Sequence, residues 1–256
     1  MGFPLNLREF GPIEGTPLLA LHGVTGHGGR WRALAEEHLH GYRVLAPDLR
    51  GHGLSTPLPP WTLEQHAADV LGVLDAVGLP AVPVVAHSFG AAVALYLQKL
   101  APNRISKLVL LDPAIGLRPD LALDRSSAPE ELFGSPEEAR AALWQRWPNA
   151  TETAIAEELA ENLCQVDGGW RYRFRYAAVT TAWSEMTRDA VLPAPGTPTL
   201  LVRALRAEYF SPAFAQACRL ALGDKFELVT MDVEHTFYVS HPAETAELVA
   251  RFVGQG

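Results

Sequence analysis

Short, mainly apolar runs alternate along the chain with stretches whose apolar positions recur at helical spacing. Pro17-Leu18-Leu19-Ala20-Leu21, Tyr42 to Ala46, Val82 to Ala86, Ile105 to Leu111, Thr199 to Val202 and Phe226 to Met231 read as strands. Between them, Leu63, Ala67, Val70, Leu71, Leu74 and Val77 keep the spacing of an amphipathic helix, with Thr62 as its cap. Trp31, Leu34, Ala35 and Leu39 are spaced the same way, and Pro242 to Phe252 reads as a closing helix. Phe89 to Leu100 is nearly all apolar, which predicts a helix buried on every side. Strands without polar alternation, separated by helices, imply a parallel sheet covered on both faces and wound by right-handed crossovers. Ligands of such sheets bind beyond the carboxyl ends of the strands. Chemistry is therefore expected just after each apolar run.

The rhythm breaks between Gly116 and Leu192. This stretch has no clear strand and is patterned as helix over Pro136 to Trp144 and Thr151 to Leu163, with loops at Ser126 to Pro129 and Asp167-Gly168-Gly169. It reads as a helical cap, residues 116–192, inserted into a core formed by residues 1–115 and 193–256. Pro193-Ala194-Pro195-Gly196-Thr197-Pro198 is the linker back into the sheet. Arg171, Arg173 and Arg175 alternate with Tyr172, Phe174 and Tyr176, the pattern of a two-faced strand or ribbon with one charged side. Trp144, Trp147, Trp170 and Trp183 also lie in the insertion. They either pack it against the sheet or line an apolar pocket.

Composition removes several classes. With 21 Lys+Arg against 29 Asp+Glu the net charge is −8, and 48% of the 256 residues are hydrophobic. A disordered chain lacks that apolar content, and an acidic surface repels nucleic-acid phosphates. No apolar run approaches the roughly 18 residues of a membrane span. The segment MGFPLNLREFGP lacks the basic and apolar regions of a signal peptide. Met1-Gly2 begins like a myristoylation site, but Asn6 stands where Ser or Thr is wanted. Cys164 and Cys218 form neither a disulfide framework nor a metal motif and read as small buried hydrophobes. A cytoplasmic protein without metal or cofactor is the expectation.

Ala86-His87-Ser88-Phe89-Gly90 closes a strand and opens an apolar helix, the setting of a nucleophile elbow. The turn is so tight that the positions two before and two after the serine must be small, as Ala86 and Gly90 are. Ser88 is thus the candidate nucleophile. His22-Gly23-Val24-Thr25-Gly26 follows an earlier strand and suits an oxyanion loop. The Val24 and Phe89 backbone amides are the candidate donors to an oxyanion. A phosphate loop is disfavoured, because no Lys lies in it.

A serine hydroxyl needs a neutral imidazole to accept its proton. His235 follows the last strand, where this arrangement wants its base. His27, His38, His40, His52 and His66 read as loop or surface residues, His241 as helix entry. Two carboxylates can complete the set. Asp112 ends the strand at Leu111, and Glu208 lies in the loop after Val202. The shorter side chain at a strict strand end is the better fixed, which favours Asp112 over the alternative, Glu208.

These features resemble the α/β-hydrolase fold over nearly the whole chain, and Asp48-Leu49-Arg50-Gly51-His52-Gly53-Leu54-Ser55 is similar to a D-x-R-G-x-G-x-S stretch of esterases with that fold. More narrowly, Trp183 to Pro193, Leu201 to Ala207 and Leu110-Leu111-Asp112-Pro113-Ala114 resemble the mycobacterial lipase V group of carboxylesterases. The resemblance implies a mostly parallel sheet with helices on both faces and a helical cap inserted after the sixth strand. It also implies Ser88, His235 and the Val24 and Phe89 amides in the family roles. That group carries no carboxylate at the Glu208 position, which supports Asp112. In many other members the acid follows the late strand, where Glu208 would stand. A serine nucleophile argues against dehalogenase and epoxide-hydrolase chemistry, which use aspartate there. The expected function is hydrolysis of a small carboxylic ester with an apolar acyl group, through an acyl-enzyme. The alternatives are a C–C bond hydrolase, a thioesterase or a slow-turnover ligand receptor.

Overall fold

The computed structural model describes residues 5–254; the Met1-Gly2 start lies outside them. The chain begins with β1 (Leu7–Phe10), β2 (Thr16–Leu21) and β3 (Tyr42–Pro47). Next come α1 (Leu63–Ala76), β4 (Val82–His87), α2 (Phe89–Leu100) and β5 (Ile105–Leu111). The insertion holds α3 (Pro119–Ser126), α4 (Pro136–Arg146), α5 (Glu152–Asn162), β6 (Leu163–Val166), β7 (Gly169–Tyr172) and α6 (Tyr176–Glu185). The chain closes with β8 (Thr199–Ala204), α7 (Pro212–Leu222), β9 (Phe226–Met231), α8 (Phe237–Ser240) and α9 (Pro242–Gly254).

Seven strands form one sheet in the order β1-β3-β2-β4-β5-β8-β9. All neighbours are parallel except the edge pair β1 and β3. Successive side chains point to opposite faces, and the central strands are apolar at nearly every position because both faces are covered. Leu19, Leu21, Val84, Ala86 and Leu108 join a cluster closed by α1, α2 and α7. Leu18, Ala20, Val85, Val109 and Val202 join a second cluster with Trp31, Leu34, Phe237, Tyr238, Val249 and Phe252. The register sets Leu21 beside Ala86 and Leu110 beside Leu201, so the ends of β2, β4, β5 and β8 open at one edge. Thr62 caps α1 as its sequence predicts, its hydroxyl accepting the Gln65 N–H at 3.3 Å.

Three expectations need correction. The insertion follows the fifth strand among the described residues, not the sixth, and the first of the five is the four-residue antiparallel edge β1. Nor is the insertion purely helical: β6 and β7 form an antiparallel hairpin. Asp167-Gly168 makes the hairpin turn, because Gly168 adopts φ +85°. The charged ribbon ends at Tyr172, and Arg175 already caps α6. The insertion reaches both core clusters, through Leu143, Trp147 and Ile155 to one and Val179, Ala182 and Trp183 to the other. Cys218 is buried, and burial pushes its thiol up to about 12, whereas Cys164 is half-buried on β6. Among the described residues, no helix is long and apolar enough to cross a membrane.

The third correction concerns histidine. His27, His52 and His66 are buried rather than superficial. Their backbones lie in loops or on the inner face of α1, and each ring turns inward. Burial drives His52 down to about 4, against the opposing pull of the Arg50 carbonyl and Asp48, and drives His66 down to about 3. An unfolded imidazole takes its proton near 6.5. The unfolded chain therefore binds more protons than the folded one below that pH. The stability these neutral rings contribute is complete above pH 6.5 and is lost as pH falls toward 4. At pH 5 each ring should cost about 2 kcal/mol relative to pH 7. Urea midpoints measured at pH 7.5 and pH 5 check this; equal midpoints would refute it.

Candidate active site

Ser88 sits between β4 and α2 with φ +52° and ψ −117°, in the left-handed half of backbone space that a side chain seldom enters. The kink is held from several sides. The Ser88 N–H donates to Leu111 O at 3.1 Å, and the Ala91 and Ala114 N–H groups donate to Ser88 O at 3.0 and 3.3 Å. Position 90 has no room for a side chain: a Cβ there would lie 2.5 Å from Leu21 O and 2.6 Å from His22 O. The glycine therefore lets α2 press against the end of β2.

His235 lies in the loop between β9 and α8. Its Nδ1 donates to Asp112 Oδ2 at 2.6 Å, and its Nε2 accepts the Ser88 hydroxyl at 2.9 Å. The carboxylate cannot donate, so it fixes the proton on Nδ1 and leaves Nε2 free to act as a base. Asp112 is fully buried, at φ +39° just beyond β5, and its Oδ1 accepts the Ala204 N–H at 3.1 Å. Glu208, the alternative acid, does not meet the imidazole. It stands exposed in the loop after β8, where its carboxylate accepts from Arg125. The longer side chain, with no buried backbone amide to anchor it, turns to the nearest cation.

In the loop after β2, the Gly23–Val24 peptide, whose amide is a candidate oxyanion donor, is oriented through its carbonyl. Gly23 O accepts the Gly26 N–H at 3.1 Å and lies 2.7 Å from His22 Nδ1. His22 Nε2 accepts the Leu49 N–H at 2.8 Å, so Nδ1 carries the ring proton and donates. Burial and the neighbouring His52 hold His22 well below its usual pKa, which keeps the ring neutral. Among the described residues, no acceptor takes the Val24 N–H. Phe89 is the first residue of α2, so its N–H has no partner within the helix. Thr25, Ser88 and Asp112 are the only non-glycine residues with positive φ among those described. Each belongs to a segment that leaves the end of β2, β4 or β5 toward the site.

Two neighbours of His235 escaped the sequence reading. His87 Nε2 donates to the His235 carbonyl at 2.9 Å, with the two rings 4.5 Å apart. Tyr209 packs on the other side with a ring separation of 4.3 Å. His87 could have been noticed as part of the elbow motif, whereas nothing local marks Tyr209.

Ser88, His235 and Val24 open into a cavity of about 1030 Å³. Trp147, Phe174, Tyr176, Val179 and Trp183 of the insertion line it together with Tyr209. Its mouth is charged, with Arg125 paired to Glu208 and Arg146 to Glu131. The four tryptophans divide: Trp147 and Trp183 face the cavity, Trp144 packs on the second core cluster and Trp170 pairs its backbone with Phe133.

The model of the alpha/beta hydrolase fold family matches residues 16–165. Lipase LipV of Mycobacterium tuberculosis (strain ATCC 25618 / H37Rv) is 37% identical over 257 residues, spanning 98% of each chain. The chain belongs to the alpha/beta hydrolase family. The hydrolase is also 28% identical to 2-(acetamidomethylene)succinate hydrolase of Mesorhizobium japonicum (strain LMG 29417 / CECT 9101 / MAFF 303099), over 97% of this chain and 91% of that one. The crystal structure of E-2-(acetamidomethylene)succinate hydrolase superposes with a TM-score of 0.82 at 25% identity, covering 98% of the hydrolase and 95% of the other chain. A marine microorganism esterase shares the fold, with a TM-score of 0.77 at 21% identity over 98% and 100% of the two chains.

Proposed function

We propose that this hydrolase cleaves small carboxylic esters through a covalent acyl-enzyme, with Ser88 as nucleophile, His235 as general base and Asp112 as the acid that orients it. The unbroken chain of contacts Asp112–His235–Ser88, at 2.6 and 2.9 Å, carries the reading. Ser88 Oγ attacks the ester carbonyl while His235 Nε2 takes its proton. The Val24 and Phe89 N–H groups bind the oxyanion, and two such donors lower the barrier most because the charge exists only at the transition state. His235 then hands the proton to the leaving alcohol, and water releases the acid by the same route. The similarity to Lipase LipV over the full chain supports ester hydrolysis among the reactions this fold hosts.

The reading divides the chain into a core of residues 1–115 and 193–256 and a cap of residues 116–192. The cap's aromatic side chains in the cavity favour an apolar acyl group. The free cysteines, Cys164 and Cys218, fit a cytoplasmic setting, and the net charge of −8 fits a protein without a nucleic-acid partner.

The test is turnover of p-nitrophenyl esters from acetate to laurate, beside a thioester and a β-diketone. We expect the esters to be hydrolysed, with KM falling as the chain lengthens into the aromatic cavity. No ester turnover at any chain length refutes the proposal, and preference for the thioester or diketone reassigns the bond.

A further inference from the structure

Helix α5 of the insertion brings Glu158 and Asn162 against the loop that follows β2. The two lie four residues apart on one helix face, and both are buried. The Glu158 carboxylate accepts from Arg30 Nε at 2.9 Å, Arg30 Nη2 at 2.7 Å, His27 Nε2 at 3.0 Å and Asn162 Nδ2 at 2.7 Å. His27 Nδ1 accepts the Gly29 N–H at 3.1 Å, which leaves Nε2 as the donor. The Trp147 ring covers the guanidinium, 4.8 Å from its centroid. Burial opposes both charges, yet mutual attraction holds Glu158 well below and Arg30 above their ordinary pKa values.

A buried ion pair of this kind is weak evidence for stabilisation, because well-packed apolar side chains often serve as well. What the cluster does accomplish is to aim two donors at one backbone oxygen. Arg30 Nη2 donates to Thr25 O at 3.1 Å, and Asn162 Nδ2 donates to the same atom at 3.3 Å. The Thr25 carbonyl shares a rigid peptide plane with the Gly26 N–H. That N–H donates to Gly23 O, and the Gly23 carbonyl shares its own plane with the Val24 N–H. Two stiff plates and one hydrogen bond thus connect α5 to the Val24 donor. Thr25, between them, is held at φ +64°.

We infer that Arg30, Glu158 and Asn162 are positioning residues through which the insertion orients the Val24 amide toward the oxyanion. The inference rests on the esterase reading above and adds to it a role for the insertion beyond enclosing substrate. Freeing the Thr25 carbonyl lets its peptide rotate, opens the Gly23–Gly26 turn and swings the Val24 N–H away. Arg30 and Trp147 line the cavity whereas Asn162 does not, so with Asn162 replaced the substrate contacts remain and the loss falls on kcat.

The test uses Asn162→Leu, which removes the hydrogen bonds to Thr25 O and Glu158 but keeps the Arg30–Glu158 ion pair, and the double variant Arg30→Met/Glu158→Met, which leaves no lone buried charge. A third variant is Arg30→Lys. For Asn162→Leu we expect kcat to fall roughly tenfold and for the double variant about a hundredfold, since displacing a reacting group by an ångström costs on that order. The KM of Asn162→Leu should stay within about twofold, and the Ki of a trifluoromethyl ketone should rise by the factor lost in kcat/KM. Arg30→Lys, which keeps the charge and one donor, should lose less than the double variant. A purely structural role would lower Tm and leave that correlation absent. If folded Asn162→Leu keeps wild-type kcat and ketone affinity beside an active wild type, the inference falls alone. A wild type that neither turns over esters nor binds the ketone removes the esterase reading and the inference with it.

Discussion

Ser88→Ala should lower kcat for p-nitrophenyl ester hydrolysis by about a millionfold, the scale seen when the nucleophile of such a relay is deleted. Alanine keeps the Cβ, so the φ +52° kink is no more strained than before, and the hydrogen bonds to Leu111 O and from Ala91 and Ala114 are all backbone. Folding should therefore survive, with Tm within a few degrees of wild type. What disappears is the one oxygen within 2.9 Å of His235 Nε2. The amides of Val24 and Phe89 stay in place, so residual activity should exceed that of water alone. Thermal melting and initial rates on the same preparations check the pair of outcomes. Retention of more than about a hundredth of wild-type kcat would mean that Ser88 is not the nucleophile, because oxyanion donors and binding alone supply far less than that fraction.

Asp112→Asn should cost about four orders of magnitude in kcat/KM, and Glu208→Gln should leave it close to wild type. The contrast follows from one proton. With a carboxylate 2.6 Å from Nδ1, the ring proton resides there and Nε2 presents its lone pair to the serine. An asparagine can offer its NH2 at the same position, which draws the lone pair to Nδ1 and places the proton on Nε2. The imidazole then donates toward Ser88 Oγ and can no longer accept from it. The geometry changes little, but the base is gone. Glu208 carries no such leverage, because its carboxylate lies exposed against Arg125. An Asp112→Asn enzyme within tenfold of wild type, or an equal loss in Glu208→Gln, would return the acid to the loop after β8.

The parallel core was legible because continuous apolar strands leave few alternatives. Val82 to Ala86, Ile105 to Leu111 and Phe226 to Met231 lie where the apolar runs end and begin. Ser88 was legible for a steric reason, since only small neighbours permit the elbow, and Gly90 has carbonyl oxygens where a Cβ would be. Edge strand β1 was not: Leu7-Arg8-Glu9-Phe10 is short, half-polar and paired on one side only. The β6–β7 hairpin was only half visible: the alternation at Arg171 and Tyr172 marked part of β7, but four-residue strands paired within the insertion gave no signal for β6. The inward turn of His66 was available from its spacing, three residues after Leu63 and four before Val70, whereas that of His52, in a loop, had no local signal. Choosing between Asp112 and Glu208 needed distance, since both follow strand ends that neighbour one another in the sheet.

Thr25, Ser88 and Asp112 give the fold a further property. Each sparsely populated backbone conformation costs about 1–3 kcal/mol, while a domain as a whole is stable by only about 5–15 kcal/mol. Together they lower the stability of the native state, and that cost is present whenever the chain is folded, whether or not it turns over substrate. Selection for a hardier protein and selection for a faster one would therefore collide at the same three peptides.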